Sequence, residues 1–449
     1  MTADTAQTAN VQSSSIYRLR FFQIMLAALV AANCALFLFL VDKTLIHGPV
    51  MDMLDFIKFY GDRRSEGDLF GYLWDPENEH RVVLLKLLMA VDLPWFGRIG
   101  PSFIMSGLLL VFAMAATIGW EIMHSVLPEV WKRAALAISI LLVTPANIVV
   151  MVSGPNNCVY LQTCAFALFS LVLLDGNRAQ ARFSIYRGIA AVLAACVAAF
   201  GVSAGLLIWP VLIWSAWRSG LRKSWIVAIG CAGALFVAAY IWHLPGHIAR
   251  HAFTLTGIVS SFDYTIRFLG LPWSRMPILL WPGRLIGFGA LCLGLFAVAR
   301  DTFSSRRNTR LQRIGLGLIL FSLLVAGTAP IARLDLTEDV EVPVRYGMFV
   351  VLLHVGLMLW SLEFLHKYFY PALRAFAPWA ILAACAIWLA QQVVVGGYAI
   401  ATVNQINDAW SRYVAGEWSP DMLKYIYPNR EVAEARRAYL REMHLSGSE

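Results

Sequence analysis

The stretch at 188–217, GIAAVLAACVAAFGVSAGLLIWPVLIWSAW, decides how this chain is threaded. It is apolar throughout, and as a single helix its 30 residues reach about 45 Å at 1.5 Å per residue. A hydrocarbon core is only about 30 Å thick. Gly201 and Gly205 interrupt the run. Arg187 stands before it and Arg218, Arg222 and Lys223 follow it, so under the positive-inside rule both ends lie on the cytoplasmic side. Two short helices joined by a turn at 201–205 satisfy the length and the charges together.

Further apolar runs of membrane-spanning length lie near 21–42, 101–121, 134–152, 157–174, 225–244, 277–299, 314–331, 346–365 and 379–399. With the hairpin they give about eleven spans, a cytoplasmic N-terminus and an extracytoplasmic C-terminus. The charges sort accordingly. Segments 1–20, 122–133, 175–188, 217–224, 300–313 and 366–378 carry 17 Lys and Arg against 4 Asp and Glu. Segments 43–100, 153–156, 245–276, 332–345 and 400–449 carry 18 against 21. Reading 188–217 as one span exports the Arg300, Arg306, Arg307, Arg310 and Arg313 cluster, against the same rule. The expected fold is an all-α polytopic membrane bundle of about eleven transmembrane helices.

Composition agrees. Of 449 residues, 59% are hydrophobic and 14% charged, too few charges for a water-soluble surface, which averages nearer ~25%. The 16 Trp, 15 Tyr and 26 Phe suit helix ends anchored at headgroup level. A net charge of +8 does not signal nucleic acid, because the basic residues sit between apolar runs and form no soluble stripe. The seven cysteines show no metal spacing. The run at 21–41 exceeds a signal-peptide core and lacks a small-x-small site after it, and Asn33 before Cys34 does not fit a lipoprotein box. We read it as the first membrane helix. Residues 1–399 then form one transmembrane domain and 400–449 an extracytoplasmic tail, with no internal repeat.

Chemistry concentrates in the first outer loop, 43–100, where 58 positions hold 16 of the 64 charged residues. Its apolar stretches at 51–60 and 82–91 read as helices lying in the interface plane. Asp52 and Asp55, three apart, face the same way on a helix and suit base and ligand roles; the alternative is an acidic helix start favoured by the dipole. Trp74-Asp75-Pro76-Glu77-Asn78-Glu79-His80-Arg81 is the densest polar run. Within it Glu79 is a candidate base for an acceptor hydroxyl, Asn78 and His80 candidate binding groups, and Arg81 a fork for phosphate oxygens; the competing reading is a solvated helix cap. A second group, Arg333, Asp335, Glu338, Asp339, Glu341 and Arg345-Tyr346, closes the same face, Arg345 serving either a lipid phosphate or a snorkelling anchor. His247, His251, Asp263, Arg267 and Arg275 form a further candidate wall. The tail, with Trp410, Tyr413, Trp418, Tyr425 and Tyr427, either caps this face or lies along the interface.

An inside N-terminus, a long acidic first outer loop, about eleven spans and the Arg345-Tyr346 pair resemble the GT-C superfamily of integral membrane glycosyltransferases. Asn78-Glu79-His80-Arg81 and Tyr425-Ile426-Tyr427-Pro428 look like segments of poorly characterised bacterial membrane proteins near that group. The resemblance implies transfer of a sugar from a polyprenyl-phosphate-linked donor to a glycan or lipid acceptor, in cell-envelope polysaccharide chemistry on the extracytoplasmic side of the inner (plasma) membrane. It implies Asp52 or Asp55 as catalytic carboxylate and Arg345 on the carrier phosphate. The sequence lacks an Asp-x-Asp pair and a soluble C-terminal domain, so the base and any divalent cation cofactor stay open. The main rival is a transporter or flippase of a lipid-linked or polar solute, suited by the broken helix; a transporter is expected to carry ionisable residues at mid-membrane, and here Arg284 and His354 are the main ones. An acyltransferase finds no His-Asp arrangement on a cytoplasmic face, and an assembly factor remains a further alternative.

Overall fold

A computed structural model describes residues 3–77, 80–96, 100–143, 155–175, 184–244, 254–274, 280–304, 308–333, 342–373 and 377–442. Among them there are helices and no strands. Asn78 and Glu79, the group at 334–341, and His247, His251 and Arg275 lie outside the described residues.

In chain order α1 is Ala3–Lys43. The first outer loop holds α2 (Asp52–Glu66), α3 (Leu69–Trp74) and α4 (Val83–Phe96). The bundle continues through α5 (Pro101–Met123), α6 (Glu129–Val143), α7 (Pro155–Leu174), α8 (Ile185–Ala199), α9 (Ile208–Arg218) and α10 (Lys223–Ile241). Then come α11 (Leu255–Leu269), α12 (Leu280–Phe303), α13 (Arg310–Arg333), α14 (Gly347–Leu373) and α15 (Ala377–Ala415). The tail ends in α16 (Pro420–Ile426) and α17 (Arg430–Glu442). Helices α1, α5, α10, α12, α13, α14 and α15 are long and apolar enough to cross a bilayer. Among the described residues two shorter apolar helices, within α7 and α8, add to these, while α6 and α9 overlap the other two expected runs.

The 188–217 stretch is broken as its glycines suggest. After α8 the chain turns at Phe200 and passes through a 3-10 turn, Ser203–Leu207, before α9 begins. A methyl group on Gly201 would overlap Thr163 Oγ1 and the Val159 carbonyl, and one on Gly205 would overlap the Ala198 carbonyl. The break is thus packed directly against α7. Its polar groups are satisfied there: Thr163 Oγ1 lies 2.9 Å from the Ala198 carbonyl and accepts from Val202 N at 3.1 Å, while Gln162 Nε2 donates to the Val197 carbonyl at 2.7 Å.

Both ends of the stretch lie at one end of the bundle. At the start of α8, Arg187 donates to the Val172 and Leu173 carbonyls at the end of α7. At the end of α9, Arg218 forms a two-pronged pair with Asp301 near the end of α12, at 2.9 and 3.1 Å. Arg313 pairs with Asp175 at 2.7 Å through both prongs, and Arg310 with Glu121 at 2.6 and 2.7 Å. Asp175, Asp301 and Glu121 are buried, so deleting one partner strands a buried charge at a cost of roughly 3–5 kcal/mol. These pairs tie the ends of α5, α7, α9 and α12 to the starts of α8 and α13. The hairpin has the shape that length, glycines and flanking charges together predicted.

Where helices cross closely, small residues permit it. Gly315 of α13 and Gly356 of α14 face each other, so a Cβ on Gly315 would come 2.8 Å from the Gly356 carbonyl. Two expectations need correction. The connection expected at 245–276 contains a regular helix, α11, whose apolar residues repeat at helical spacing through Leu255, Ile258, Val259 and Phe262. The boundary expected at 399–400 falls inside α15, which runs on to Ala415 because Thr402, Asn407 and Asp408 are compatible with an exposed helix beyond the apolar run. Asn407 there accepts from His47 N and donates to the Leu45 carbonyl, both at 2.9 Å, fastening the extension to the end of α1.

If the break is fixed by close packing on α7, Gly201→Ala forces an overlap with backbone and is expected to lower stability by about 1–3 kcal/mol. Gly289→Ala, whose added methyl meets nothing, serves as control. Thermal unfolding in detergent measures both, and equal midpoints would dispense with the packing argument.

Candidate functional site

The first outer loop is a folded unit. Gly67, in a left-handed conformation, ends α2 with its N–H turned back to Arg64, and the Asp68 carboxylate caps α3 through Gly71 N at 2.8 Å. Arg63 gathers Asp68 at 3.0 Å and Asp75, with Glu66 at 3.4 Å. Tight reciprocal bonds between the backbones of Glu77 and His80 then close a short hairpin. At the end of α4 the buried Asp92 accepts from Gly100 N and Ser102 N, at 2.8 and 2.9 Å, and so caps α5.

Under this hairpin sit two buried cations that sequence reading cannot distinguish from surface charges. Arg81 gives its N–H groups to the carbonyls of Trp74, Tyr240 (2.8 Å) and Trp242, and its guanidinium lies 4.7 Å from the centre of the Trp74 ring. Its fork therefore staples the loop to the end of α10. Lys86 donates to the Asp75 carbonyl at 2.6 Å and stands over Phe59 and Tyr72, 4.8 and 5.5 Å from the ring centres. Burial pushes Lys86 down to about 8, against the pull of Glu77 and Asp75. Glu77 is pushed up by burial; Lys86 opposes that rise, and Asp55 and Asp52 add to it. Glu77 thus shares a field with both Asp residues of α2.

Those two Asp residues differ. Asp55 accepts from Tyr427 OH at 2.9 Å and from Arg436 at 2.8–2.9 Å, so the tail supplies its counter-ion. Asp52 is exposed. Just before it Met51 takes a positive φ of 53°, a conformation costing roughly 1–3 kcal/mol. Its N–H is bound to the Ile426 carbonyl at 2.7 Å. The tail clamps the start of α2 at two points.

Two cavities open nearby. The smaller, about 290 Å³, brings His80 and Tyr346 together with Ser203 of the helix break, Tyr160 and Phe268. His80 Nδ1 accepts from Ser203 N at 3.2 Å, which fixes the neutral ring as its Nε2–H tautomer. Tyr346 stacks on Phe268 at 5.3 Å and meets Tyr160 edge-on at 5.7 Å. The larger, about 560 Å³, has apolar walls of Leu271, Leu280, Val342, Val344, Val395 and Ala399. Arg267, Arg284, Ser274, Tyr398 and Thr402 supply its polar atoms. Asp263 binds Arg267 at 2.9 Å and Arg284 at 3.2 Å, one carboxylate between two guanidinium groups. The two cavities share a wall, since Arg267 and Phe268 face different ones, as do Val344 and Tyr346. Arg345 lies between Val344 and Tyr346 in the chain, its Nε buried and without a hydrogen-bond partner among the described residues.

The structure therefore joins His80 to Tyr346, puts Asp52 and Asp55 within electrostatic reach of Glu77, and sets Arg81 apart as a packing cation. Glu77, Ser203, Arg284, Tyr398 and Thr402 were not selected from sequence. Arg284 carried a signal as a lone cation within an apolar run, and Glu77 as a member of the dense polar run at 74–81. Among the described residues no group of three or more His, Cys, Asp or Glu side chains comes together to hold a metal ion.

Since Lys86 sits below its ordinary value of 10.5, the folded chain binds fewer protons than the unfolded one between about 8 and 10.5, and stability rises with pH across that window. Glu77 acts oppositely: its raised carboxyl gives stability that falls as pH climbs out of the ordinary carboxylate range. Relative to Lys86→Met, the wild type should gain roughly 3 kcal/mol between pH 8 and 10.5. Parallel curves of unfolding midpoint against pH would mean that Lys86 is not held down. Set against known proteins, the chain matches no family model and no curated protein.

Proposed function

We propose that this chain is a membrane glycosyltransferase that moves a sugar from a polyprenyl-phosphate-type donor to a glycan or lipid acceptor at the first-loop face. In that reading this face is extracytoplasmic, the N-terminus is cytoplasmic, and the protein lies in the inner (plasma) membrane. The supporting observation is the larger cavity: two arginines sharing one carboxylate, within apolar walls. Leu255, Ile258, Val259 and Phe262 of α11 are exposed beside it, as suits a helix against lipid. Such a site suits a phosphate whose lipid tail stays in the bilayer.

On this reading Arg267, Arg284 and Arg345 stabilise the negative charge that gathers on the leaving phosphate as the glycosidic bond breaks. A carboxylate of the first loop takes the acceptor hydroxyl's proton as its oxygen attacks the sugar. Asp52, Asp55, Glu79 and Glu77 are the candidates. Asp55 is held by Arg436, and Asp52 is the more exposed of the two. His80 and Tyr346 line the neighbouring cavity, where an acceptor sugar finds both hydrogen-bonding groups and aromatic faces. Asn78 retains its expected binding role, and Arg81 orients the loop. No step is assigned to a metal ion.

A transporter or flippase is the second reading, and the observation favouring it is that the broken segment itself lines the smaller cavity through Val202, Ser203, Ala204, Leu206 and Leu207. His354, an ionisable group in the apolar part of α14, speaks against a proton relay. Its Nε2 accepts from Trp273 at 3.2 Å and its Nδ1 donates to the Val350 carbonyl at 2.7 Å.

Purified protein in nanodiscs, offered a panel of polyprenyl-phosphate sugars and lipid-extract acceptors, tests the first reading. Arg284→Gln should raise the donor KM, and removing the working base, through Asp52→Asn, Asp55→Asn, Glu77→Gln or Glu79→Gln, should cut kcat by about a hundredfold or more. Carrier flux in vesicles with no transfer from any donor favours the second.

A further inference from the structure

The opposite end of the bundle, where the buried ion pairs lie, contains a third cavity of about 390 Å³ between the end of α5 and the starts of α8 and α13. Its walls include Trp120, Glu121, His124, Arg187, Thr309 and Arg310. Glu121 and Arg310 neutralise each other through their two-pronged pair. Arg187 is different. It meets no carboxylate among the described residues, and its bonds to the Val172 and Leu173 carbonyls are both 3.3 Å, beyond the usual N–H···O range. Among the described residues the walls therefore carry one positive charge with no carboxylate against it, in a pocket large enough for a small ligand.

The cavity rim identifies the surroundings. Trp120 is 65% exposed and Tyr186, next to Arg187, is 81% exposed, while Val126, Ile185 and Ile189 are also exposed apolar residues. Aromatic rings beside bare aliphatic side chains at the end of membrane helices mark the headgroup level. His124 completes the arrangement. Its ring packs on Trp120 with centroids 4.1 Å apart, and its Nδ1 donates to the Trp120 carbonyl at 2.8 Å; when protonated, the ring has Nε2–H as a second donor.

We propose that this cavity binds the phosphodiester head group of an anionic phospholipid. Arg187 supplies the charge-assisted hydrogen bonds, His124 a second donor, and the acyl chains lie along Trp120 and Ile189. A phosphate oxygen is a stronger acceptor for Arg187 than the carbonyls it now reaches, and basic pockets between membrane helices are suited to such head groups. The site is separate from the glycosyl-transfer reading and stands or falls without it.

Native mass spectrometry of the purified full chain, with phosphatidylglycerol and phosphatidylcholine of matched acyl chains, tests this. The wild type should retain phosphatidylglycerol preferentially, and Arg187→Ala should reduce that preference about fivefold, the worth of one cation at a charged surface. His124→Ala, at an exposed residue, should reduce it in the same direction and covers the case in which the Arg187 variant misfolds. Arg222→Ala removes the same charge from an exposed position at this end and should leave the preference intact. Unchanged retention in the Arg187 and His124 variants, or an equal fall in the Arg222 variant, overturns the proposal. Displacement of the lipid by millimolar inorganic phosphate overturns the lipid source and assigns the same pocket to a soluble phosphate ester.

Discussion

A polypeptide that reverses direction within a packed helix bundle must find partners for the backbone groups it frees, because a buried polar group cannot be left without one. In this protein that demand falls on two side chains of α7. Thr163 serves the Ala198 carbonyl and the Val202 N–H, and Gln162 serves the Val197 carbonyl. With those bonds made, α8 and α9 can be short and their outer ends, Arg187 and Arg218, can return to the same rim. Everything downstream follows in phase: the directions of α10 to α15, the gathering of Asp175, Asp301 and Glu121 with their arginines, and the placing of Ser203 beside His80. A one-span reading of the same residues would invert every later helix.

Much of this architecture was legible because it rests on local rules. Glycine positions, helix length and the sign of flanking charges are all written along the chain, and they locate the hairpin and the principal helices. The missed helix, α11, is one whose polar and apolar residues alternate at helical spacing instead of forming a run, so hydropathy alone passes over it. The extension of α15 was missed for a related reason: leaving the apolar run does not end a helix when Asn407 finds partners at Leu45 and His47, just past the end of α1.

The candidate site was less legible, because the role of a charged side chain depends on what packs around it. Arg81 stands in a polar run and Arg284 in an apolar one, yet neither setting reveals what the side chain meets. One is consumed by three carbonyls and an indole ring, while the other faces a cavity and shares Asp263 with Arg267. Asp52 and Asp55 share a helix face, yet only Asp55 meets Arg436, a residue 381 positions away. Glu77 and Lys86 influence each other through burial that no spacing rule reports. His80 and Tyr346 were both selected for their setting in polar runs, and a single cavity holds them.

The unbroken length of α15 joins the two ends of the bundle. Its 39 residues form a rod of about 58 Å, nearly twice the thickness of the hydrocarbon core. At one end Trp379 meets Phe21 of α1, and at the other Tyr413 holds the Ala433 carbonyl of α17, the helix that carries Arg436. The helix that meets α1 at one end of the bundle is thus continuous with the one that holds the tail at the other, and the tail is what supplies the counter-ion of Asp55.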